Sequence, residues 1–299
     1  MLSLGLIVTQ AVSSTALPDP STLTTPPRPF LKWAGGKSRL IAQYQPYLPI
    51  DVRTYYEPFL GGGALFFHLK PERAMLSDIN PELVNVYTCV RDCVEAVIDE
   101  LADHAARHSQ TYYYQIRDRE PDLPAEKAAR LIYLNKTCFN GLYRVNRQGR
   151  FNVPMGRYKN PKICDPELLR AASIALQTAT LTEEPFDRIL NQSPSARDFV
   201  YFDPPYHPLS DTSNFTAYSR VAFGETEQIR LRDTFAELAE RGVKVALSNS
   251  DCPFIRDLYQ AFPIHPIAAT RAINSQPAKR GKIAEILVTS YPKTQFLTN

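Results

Sequence analysis

An apolar run, Thr54-Tyr55-Tyr56-Glu57-Pro58-Phe59-Leu60, feeds directly into Gly61-Gly62-Gly63 and then into the helical start Ala64-Leu65-Phe66-Phe67. A second run, Ala74-Met75-Leu76-Ser77-Asp78, follows and turns at Asn80-Pro81. Strand, glycine turn, helix, then a strand tipped with an acid is the first half of a nucleotide-binding α/β sheet. Glycines after a strand let the backbone approach a ligand, and the acid can accept from a ribose diol.

The pattern suits an adenosine cofactor. A dinucleotide fingerprint requires a third glycine where Phe66 stands, so a nicotinamide cofactor is disfavoured. A cofactor without phosphates, such as S-adenosylmethionine, needs only the close approach and the diol acceptor. Another glycine pair, in Trp33-Ala34-Gly35-Gly36-Lys37-Ser38, imitates a phosphate loop, but Leu31 holds the position where that loop needs glycine. A lid over the cofactor fits better, with Trp33 packing on the ligand and Lys37 meeting its carboxylate; the alternative is Trp33 as ordinary core.

Strand-like runs return at Ala179–Leu181, Phe199–Phe202, Val243–Ser248, Ile264–Ala269 and Ile286–Ser290, with helices expected over Thr226–Arg241 and Pro253–Phe262. Between the two sets, helical spacing runs from Glu82 to Arg107 and from Lys127 to Leu134. The expected architecture is an α/β sheet, residues 30–81 and 166–299, interrupted by a mainly helical, loop-rich insertion at 82–165.

Residues 1–29 read as a flexible leader rich in Ser, Thr and Pro. They are a poor secretory signal, because no Lys or Arg precedes Arg28. No later stretch is long enough to span a membrane. Five cysteines without a C-x-x-C pair argue against a disulfide scaffold or structural zinc and for a reducing, cytoplasmic setting.

The run Phe199-Val200-Tyr201-Phe202 ends in Asp203-Pro204-Pro205-Tyr206. The Asp203 carboxylate and the Pro204 carbonyl can both accept from one NH₂ group, Tyr206 offers a face for stacking, and the prolines hold the edge still. Asp-Pro-Pro also ends strands as a plain turn, so its neighbours must decide.

The decisive neighbour is basic. Arg130, Lys136, Arg144, Arg147, Arg150, Arg157, Lys159 and Lys162 occur in a stretch without a single Asp or Glu, although the net charge of the chain is only +3. Tyr133, Phe139, Tyr143, Phe151 and Tyr158 are interleaved with Asn135, Asn140, Asn146, Asn152 and Gln148. Cations anchor phosphates, Arg and Asn read base edges, and aromatics stack on or wedge between bases. A merely solvated basic face is the alternative. A smaller patch, Arg271, Lys279, Arg280 and Lys282, is placed to meet the backbone from another side.

Taken together, these stretches resemble the Dam-type DNA adenine-N6 methyltransferases (D12 class), which methylate adenine in GATC. The resemblance rests on Phe30-Leu31-Lys32-Trp33-Ala34-Gly35-Gly36-Lys37, Glu57-Pro58-Phe59-Leu60-Gly61-Gly62-Gly63 and Asp78-Ile79-Asn80. It continues through Asn140-Gly141-Leu142-Tyr143-Arg144, Phe151-Asn152-Val153-Pro154, Asp203-Pro204-Pro205-Tyr206 and Asn214-Phe215-Thr216-Ala217-Tyr218, in the family's order from about Pro29 onward. Gly62 stands where relatives often have alanine, and Phe139 where tyrosine is usual.

The resemblance implies a Rossmann-like S-adenosylmethionine-dependent methyltransferase sheet with an inserted, mainly helical DNA target-recognition domain. It places Trp33, Lys37, Phe59, Gly61, Gly63, Asp78 and Asp203 at the cofactor, and Asp203, Pro204 and Tyr206 at the target amine. Phe215 or Tyr218, with Phe186 as a weaker candidate, would close over the base. Phe139 would fill the gap beside the displaced base and Asn140 would hold the backbone. Leu142, Arg144 and Pro154 would read GATC, with Lys32 as a further base contact. No metal is called for. The expected partner is double-stranded DNA, and a monomer suffices; the residues leave open whether the enzyme stands alone, works beside a cognate restriction endonuclease or is phage-borne. The other classes to weigh are a DNA-binding module without catalysis, a P-loop ATPase, and an RNA or protein-glutamine methyltransferase.

Overall fold

The computed structural model describes residues 24–192, 194–208, 223–270 and 282–292. Seven strands form one sheet: β1 (Tyr55–Glu57), β2 (Ala74–Asp78), β3 (Ala179–Glu183), β4 (Phe199–Phe202), β5 (Lys244–Ser250), β6 (Ile264–Thr270) and β7 (Lys282–Thr289). Their spatial order is β3-β2-β1-β4-β5-β7-β6. The first five are parallel, and β7 runs antiparallel between β5 and β6. The chain steps outward from β1 to β3 and then returns across β1 to β4. That reversal opens a crevice at the carboxyl ends of β1 and β4, where open α/β sheets bind ligands.

Side-chain alternation sorts the core onto two faces. Tyr55, Phe199, Tyr201, Ala246 and Leu287 join one buried cluster, and Tyr56, Val200, Phe202, Val245 and Leu247 the other. Every residue of β4 is buried, as expected where helices cover both faces of a parallel strand. The second face is covered by α8 (Glu225–Glu240) and α9 (Pro253–Leu258).

The first face carries α1 (Ile41–Tyr44), α2 (Ala64–Leu69), α3 (Pro81–Asp92), α4 (Val94–Ala106), α5 (Gln110–Asp118), α6 (Pro124–Thr137) and α7 (Pro166–Leu176). Its core continues unbroken from the sheet through Val86, Leu101, Leu131 and Phe151. Helix α3 packs on β2, β3, α6 and α7, so the start of the segment after Asp78 is fastened to the sheet.

Several elements differ from the sequence expectation. Strand β1 stops at Glu57, not Leu60, because Pro58 has no N–H to offer a ladder. The helical stretch from Glu82 breaks at Cys93 (φ −146°, ψ 49°) into α3 and α4. The helix expected over Lys127–Leu134 extends at both ends, and α5 and α7 had not been expected. Pro266 is tolerated within β6 because that strand is the sheet edge. The Gln43 amide covers part of that edge, donating to the Ala268 carbonyl at 2.8 Å and accepting from its N–H at 2.9 Å.

The five cysteines are free. Among the described residues, no helix is long and apolar enough to cross a membrane, and no His, Cys, Asp and Glu group is arranged to hold a metal.

Candidate active site and nucleic-acid interface

By the register Tyr55↔Phe199 and Tyr56↔Val200, Glu57 falls opposite Tyr201, two residues from Asp203. The glycine loop and the Asp-Pro-Pro-Tyr edge therefore face one crevice. Gly61 adopts φ +48°, and a Cβ there would lie 2.9 Å from Trp33 Cδ1, so only glycine fits between this loop and the indole. Asp78 braces the loop, accepting from Gly61 N–H at 3.2 Å and Asn80 N–H at 3.0 Å. Burial pushes its carboxyl up to about 6, against the pull of those two amides. Each of its oxygens keeps a lone pair for a further donor. Asn80 caps α3, accepting from Glu82 N–H at 3.1 Å, with Pro81 at the first helical position. Gly63 leads into α2.

Asp203 Oδ1 is held twice, by Lys37 Nζ at 2.7 Å and by Ser248 Oγ at 2.8 Å. Ser248 also contacts the Tyr201 hydroxyl at 2.9 Å. With its one proton committed to Asp203, Ser248 accepts from Tyr201, which gives a chain Tyr201→Ser248→Asp203. Among the described residues, no hydrogen bond reaches Asp203 Oδ2 or the Pro204 carbonyl. The edge is anchored from behind: Gln228 Nε2 donates to the Pro205 carbonyl at 2.9 Å, and Asn249 accepts from His207 N–H at 3.1 Å and donates to Gln228 at 3.0 Å.

Lys37 is only 4% exposed and also donates to the Gly35 carbonyl. Its Nζ lies 4.7 Å over the Tyr206 ring, whose hydroxyl donates to Glu285 on β7 at 2.9 Å. The sequence reading aimed Lys37 at a cofactor carboxylate; here its nearest anion is Asp203. With its ammonium so engaged, Lys37 makes a poor phosphate-loop lysine. Asp203, Glu57 and Glu285 all feel this one ammonium. Glu57, 3% exposed and with Oε2 unpartnered among the described residues, is pushed up to about 8 by burial, and Asp203 adds to the effect. Burial likewise raises Glu285, opposed by Lys37 and the Tyr206 hydroxyl.

Trp33 is half-buried and stacks on Tyr143, with centroids 5.5 Å apart and planes at 27°. Phe59 stacks on Phe186 at 5.4 Å and meets Phe223 edge-on at 5.7 Å. Phe186 is thus 5% exposed inside an aromatic cluster, and its reading as a cover for the target base is corrected to a core role. Phe215, Tyr218 and the residues 214–218 lie outside the described residues, as do Arg271, Lys279 and Arg280.

The basic stretch divides into two groups. Arg130 is buried, donates to the carbonyls of Ile116 and Arg117, and lies 3.7 Å from Glu82. Arg150 pairs with Glu120 at 3.3 Å, and Lys162 with Asp165 at 2.7 Å. Tyr133, Tyr143 and Phe151 belong to the core. Asn135 is 1% exposed and fully bonded, accepting from Lys32 N–H at 2.8 Å and donating to the carbonyls of Lys32 and Gly141 at 2.7 and 3.0 Å. Asn146 closes a turn by accepting from Gln148 and Arg150 N–H. The expectation that Arg130, Tyr133, Asn135, Tyr143 and Phe151 contact nucleic acid is corrected accordingly, whereas Asn146, Arg150 and Lys162 stay exposed.

Several of the remaining residues are joined by local contacts. Asn135 ties Lys32 to the turn Phe139-Asn140-Gly141, where Asn140 (φ +56°) and Gly141 (φ +64°) are both left-handed. A Cβ on Gly141 would sit 2.6 Å from Lys32 Cβ, so glycine is required for this junction. Phe139 N–H donates to the Pro154 carbonyl at 2.8 Å, and Leu142 N–H to the Phe139 carbonyl at 3.2 Å. Phe139 is 49% exposed, a large apolar ring left in solvent. Arg144 is exposed, its guanidinium steadied by the Asn152 side chain at 2.7 Å and carbonyl at 3.1 Å. Lys32 Nζ lies 4.0 Å over the Tyr158 ring. Burial, followed by repulsion from Lys32, pushes Lys136 down to about 8. Arg147, Arg157 and Lys159 are exposed.

Sequence reasoning missed Glu285, Ser248, Asn249 and Gln228. Only Ser248-Asn249-Ser250 carried a readable signal, a polar run at the carboxyl end of a strand beside β4.

A family model described as D12 class N6 adenine-specific DNA methyltransferase matches residues 33–273. The type II methyltransferase M1.LlaDCHI of Lactococcus lactis subsp. cremoris is 45% identical over 272 residues, covering 88% of this chain and 95% of its own. The type II methyltransferase M.MjaIII of Methanocaldococcus jannaschii is 40% identical over 289 residues, covering 88% and 99%. The DNA adenine methylase of Escherichia coli (strain K12) is 35% identical over 269 residues, covering 89% and 96%. A mixed α/β sheet with its acceptor edge at the β1/β4 crevice and likeness along nearly nine-tenths of the sequence agree: the chain belongs to the D12 class N6 adenine-specific DNA methyltransferases.

Proposed function

We propose that this enzyme transfers a methyl group from S-adenosylmethionine to N6 of an adenine flipped out of duplex DNA, within the sequence GATC. The observation that carries the reading is the pair of acceptors left over at the β4 edge. Asp203 Oδ1 is used internally, while Oδ2 and the Pro204 carbonyl receive no hydrogen bond from a described residue. One NH₂ group has two protons to satisfy them.

The residues present fit the cofactor. Gly61 keeps the loop free of a side chain where it meets Trp33, and Asp78, braced by the Gly61 and Asn80 amides, offers acceptors for a ribose diol. Trp33, Lys37, Phe59, Gly61, Gly63, Asp78 and Asp203 are the residues proposed to hold it. When bound, S-adenosylmethionine supplies an electrophilic methyl on a sulfonium.

Adenine N6 is a weak nucleophile, its lone pair delocalised into the ring, and in a duplex it is buried in the stack, so the base must leave the helix. Acceptance of its two protons by Asp203 and Pro204 favours a pyramidal nitrogen with an exposed lone pair. Tyr206 stacks on the ring, and the anchored edge supplies orientation and fixed charge in place of a strong base. The surplus proton leaves after transfer.

Residues 82–165 are proposed as the recognition segment, and 30–81 with 166–299 as the methyl-transfer part. Lys32, Leu142, Arg144 and Pro154 read bases, Phe139 fills the vacated stack and Asn140 holds the backbone. All these residues come from one chain, so a monomer suffices. Relatives named type II methyltransferases fit a chain working beside a cognate restriction endonuclease. Arg144→Ala is expected to relax sequence choice by ~1–3 kcal/mol, the worth of one good base contact. The check is kcat/KM on GATC against duplexes altered at one base; equal weakening on all of them makes Arg144 a phosphate anchor. The function itself is tested by expression in a methylation-deficient host. Its DNA should become resistant to a nuclease blocked by methylated GATC and sensitive to one that requires it.

A further inference from the structure

Strand β7 is apolar from Ile286 to Val288, yet Glu285 interrupts the pattern directly before that run. Because β7 runs antiparallel to β5, with Glu285 opposite Ser250, its first half lies at the carboxyl edge of the parallel strands. That is the edge from which Asp203 and Tyr206 project. The Tyr206 hydroxyl donates to Glu285 Oε2 at 2.9 Å, and Lys37 Nζ sits 4.7 Å over the same ring while holding Asp203 at 2.7 Å. Tyr206 is therefore pinned at its backbone by the proline edge, at its hydroxyl by β7 and on one face by Lys37. A ring free to rotate about its side-chain bonds would have to be ordered each time a base stacked on it, at a cost in entropy.

We propose that Glu285 is a positioning residue for methyl transfer: through its hydrogen bond it fixes the plane of Tyr206 so that the face opposite Lys37 is ready for the flipped adenine. Glu285 touches neither the base nor the cofactor in this role. The proposal rests on the reading of Tyr206 as the stacking platform, and the test separates the two.

Glu285→Leu and Tyr206→Phe remove the same hydrogen bond from opposite ends while keeping the ring. Each is expected to lower kcat for methylation of a GATC duplex about tenfold, the scale of one hydrogen bond, with KM for S-adenosylmethionine within about twofold. The double variant should also sit about tenfold down, because the second change removes nothing further. Glu285→Gln, which keeps an acceptor oxygen, should recover most of the loss. A thermal melt of each variant confirms that it folds, and Tyr206→Phe carries the comparison if Glu285→Leu does not. A roughly hundredfold loss in the double variant, or normal kcat in Glu285→Leu, overturns the positioning role. Tyr206→Ala serves as the control on the underlying reading. Near-normal transfer in it removes the stacking platform and this proposal together, whereas a crippled Tyr206→Ala beside a normal Glu285→Leu overturns the positioning role alone.

Discussion

Asp203→Ala is expected to lower methyl transfer by at least ~10²–10³-fold, the scale of removing one preorganised electrostatic contact at a reacting group. The structure adds a second consequence. Lys37 is 4% exposed, and Asp203 is its ion-pair partner at 2.7 Å. Removing the carboxylate leaves a buried ammonium without its ion-pair partner, holding the Gly35 carbonyl and the face of Tyr206, and stranding one partner of a buried pair costs ~3–5 kcal/mol. Asp203→Ala should therefore melt earlier as well as lose activity, and a loss seen in that variant alone would mix the two. The combined variant Asp203→Ala/Lys37→Met separates them. It should regain thermal stability without regaining methyl transfer, measured on a GATC duplex with labelled cofactor. Activity within tenfold of the unaltered enzyme in Asp203→Ala would remove Asp203 from the chemistry.

Glu57→Gln is expected to stabilise the protein at neutral and alkaline pH. Glu57 is buried at the end of β1, and burial, reinforced by Asp203, pushes its carboxyl up to about 8 from an ordinary value near 4.5. A carboxyl whose folded-state pKa is raised contributes fully below its unfolded pKa, and that contribution is lost as pH rises through the folded one. Stability linked to Glu57 should thus be intact below about pH 4.5 and drain away on the way to about pH 8. Glutamine mimics the protonated acid and does not titrate. Near pH 8 the variant should be more stable by something on the order of 3–4 kcal/mol, with little difference at pH 4.5. Chemical denaturation at the two pH values measures this. A gap that does not change with pH would mean that Glu57 is already ionised in the fold.

Local rules reached much of this molecule. Phe199-Val200-Tyr201-Phe202 reads as a strand because both of its faces are covered, so no polar residue interrupts it. Gly61 and Asp78 were readable because a close backbone approach and an acid at a strand tip belong to one short unit. The break at Cys93 carries neither Gly nor Pro, and tertiary packing of α3 and α4 on α6 decides where the helix ends. Helix α7 did carry a signal, the Asp165 cap ahead of Pro166, which a search for apolar spacing alone passes over.

The basic stretch shows the opposite failure. It holds no acid of its own, yet Glu82, Glu120 and Asp165, all outside the stretch, pair with Arg130, Arg150 and Lys162, and of these three cations Arg130 is buried. A charge count along a window cannot see partners that the fold brings in from elsewhere. Glu285 was hidden for the same reason: it reaches Tyr206 across 79 residues of sequence through the antiparallel register of β7.

The most direct measurement is methyl transfer from radiolabelled S-adenosylmethionine to a duplex carrying a single GATC, followed by digestion to nucleosides. The label should appear in N6-methyladenine, and a one-base change in the site should abolish it. Label in cytosine, in RNA or in adenines irrespective of sequence would contradict the assignment of the Asp203 edge and the 139–154 surface to one reaction at one site.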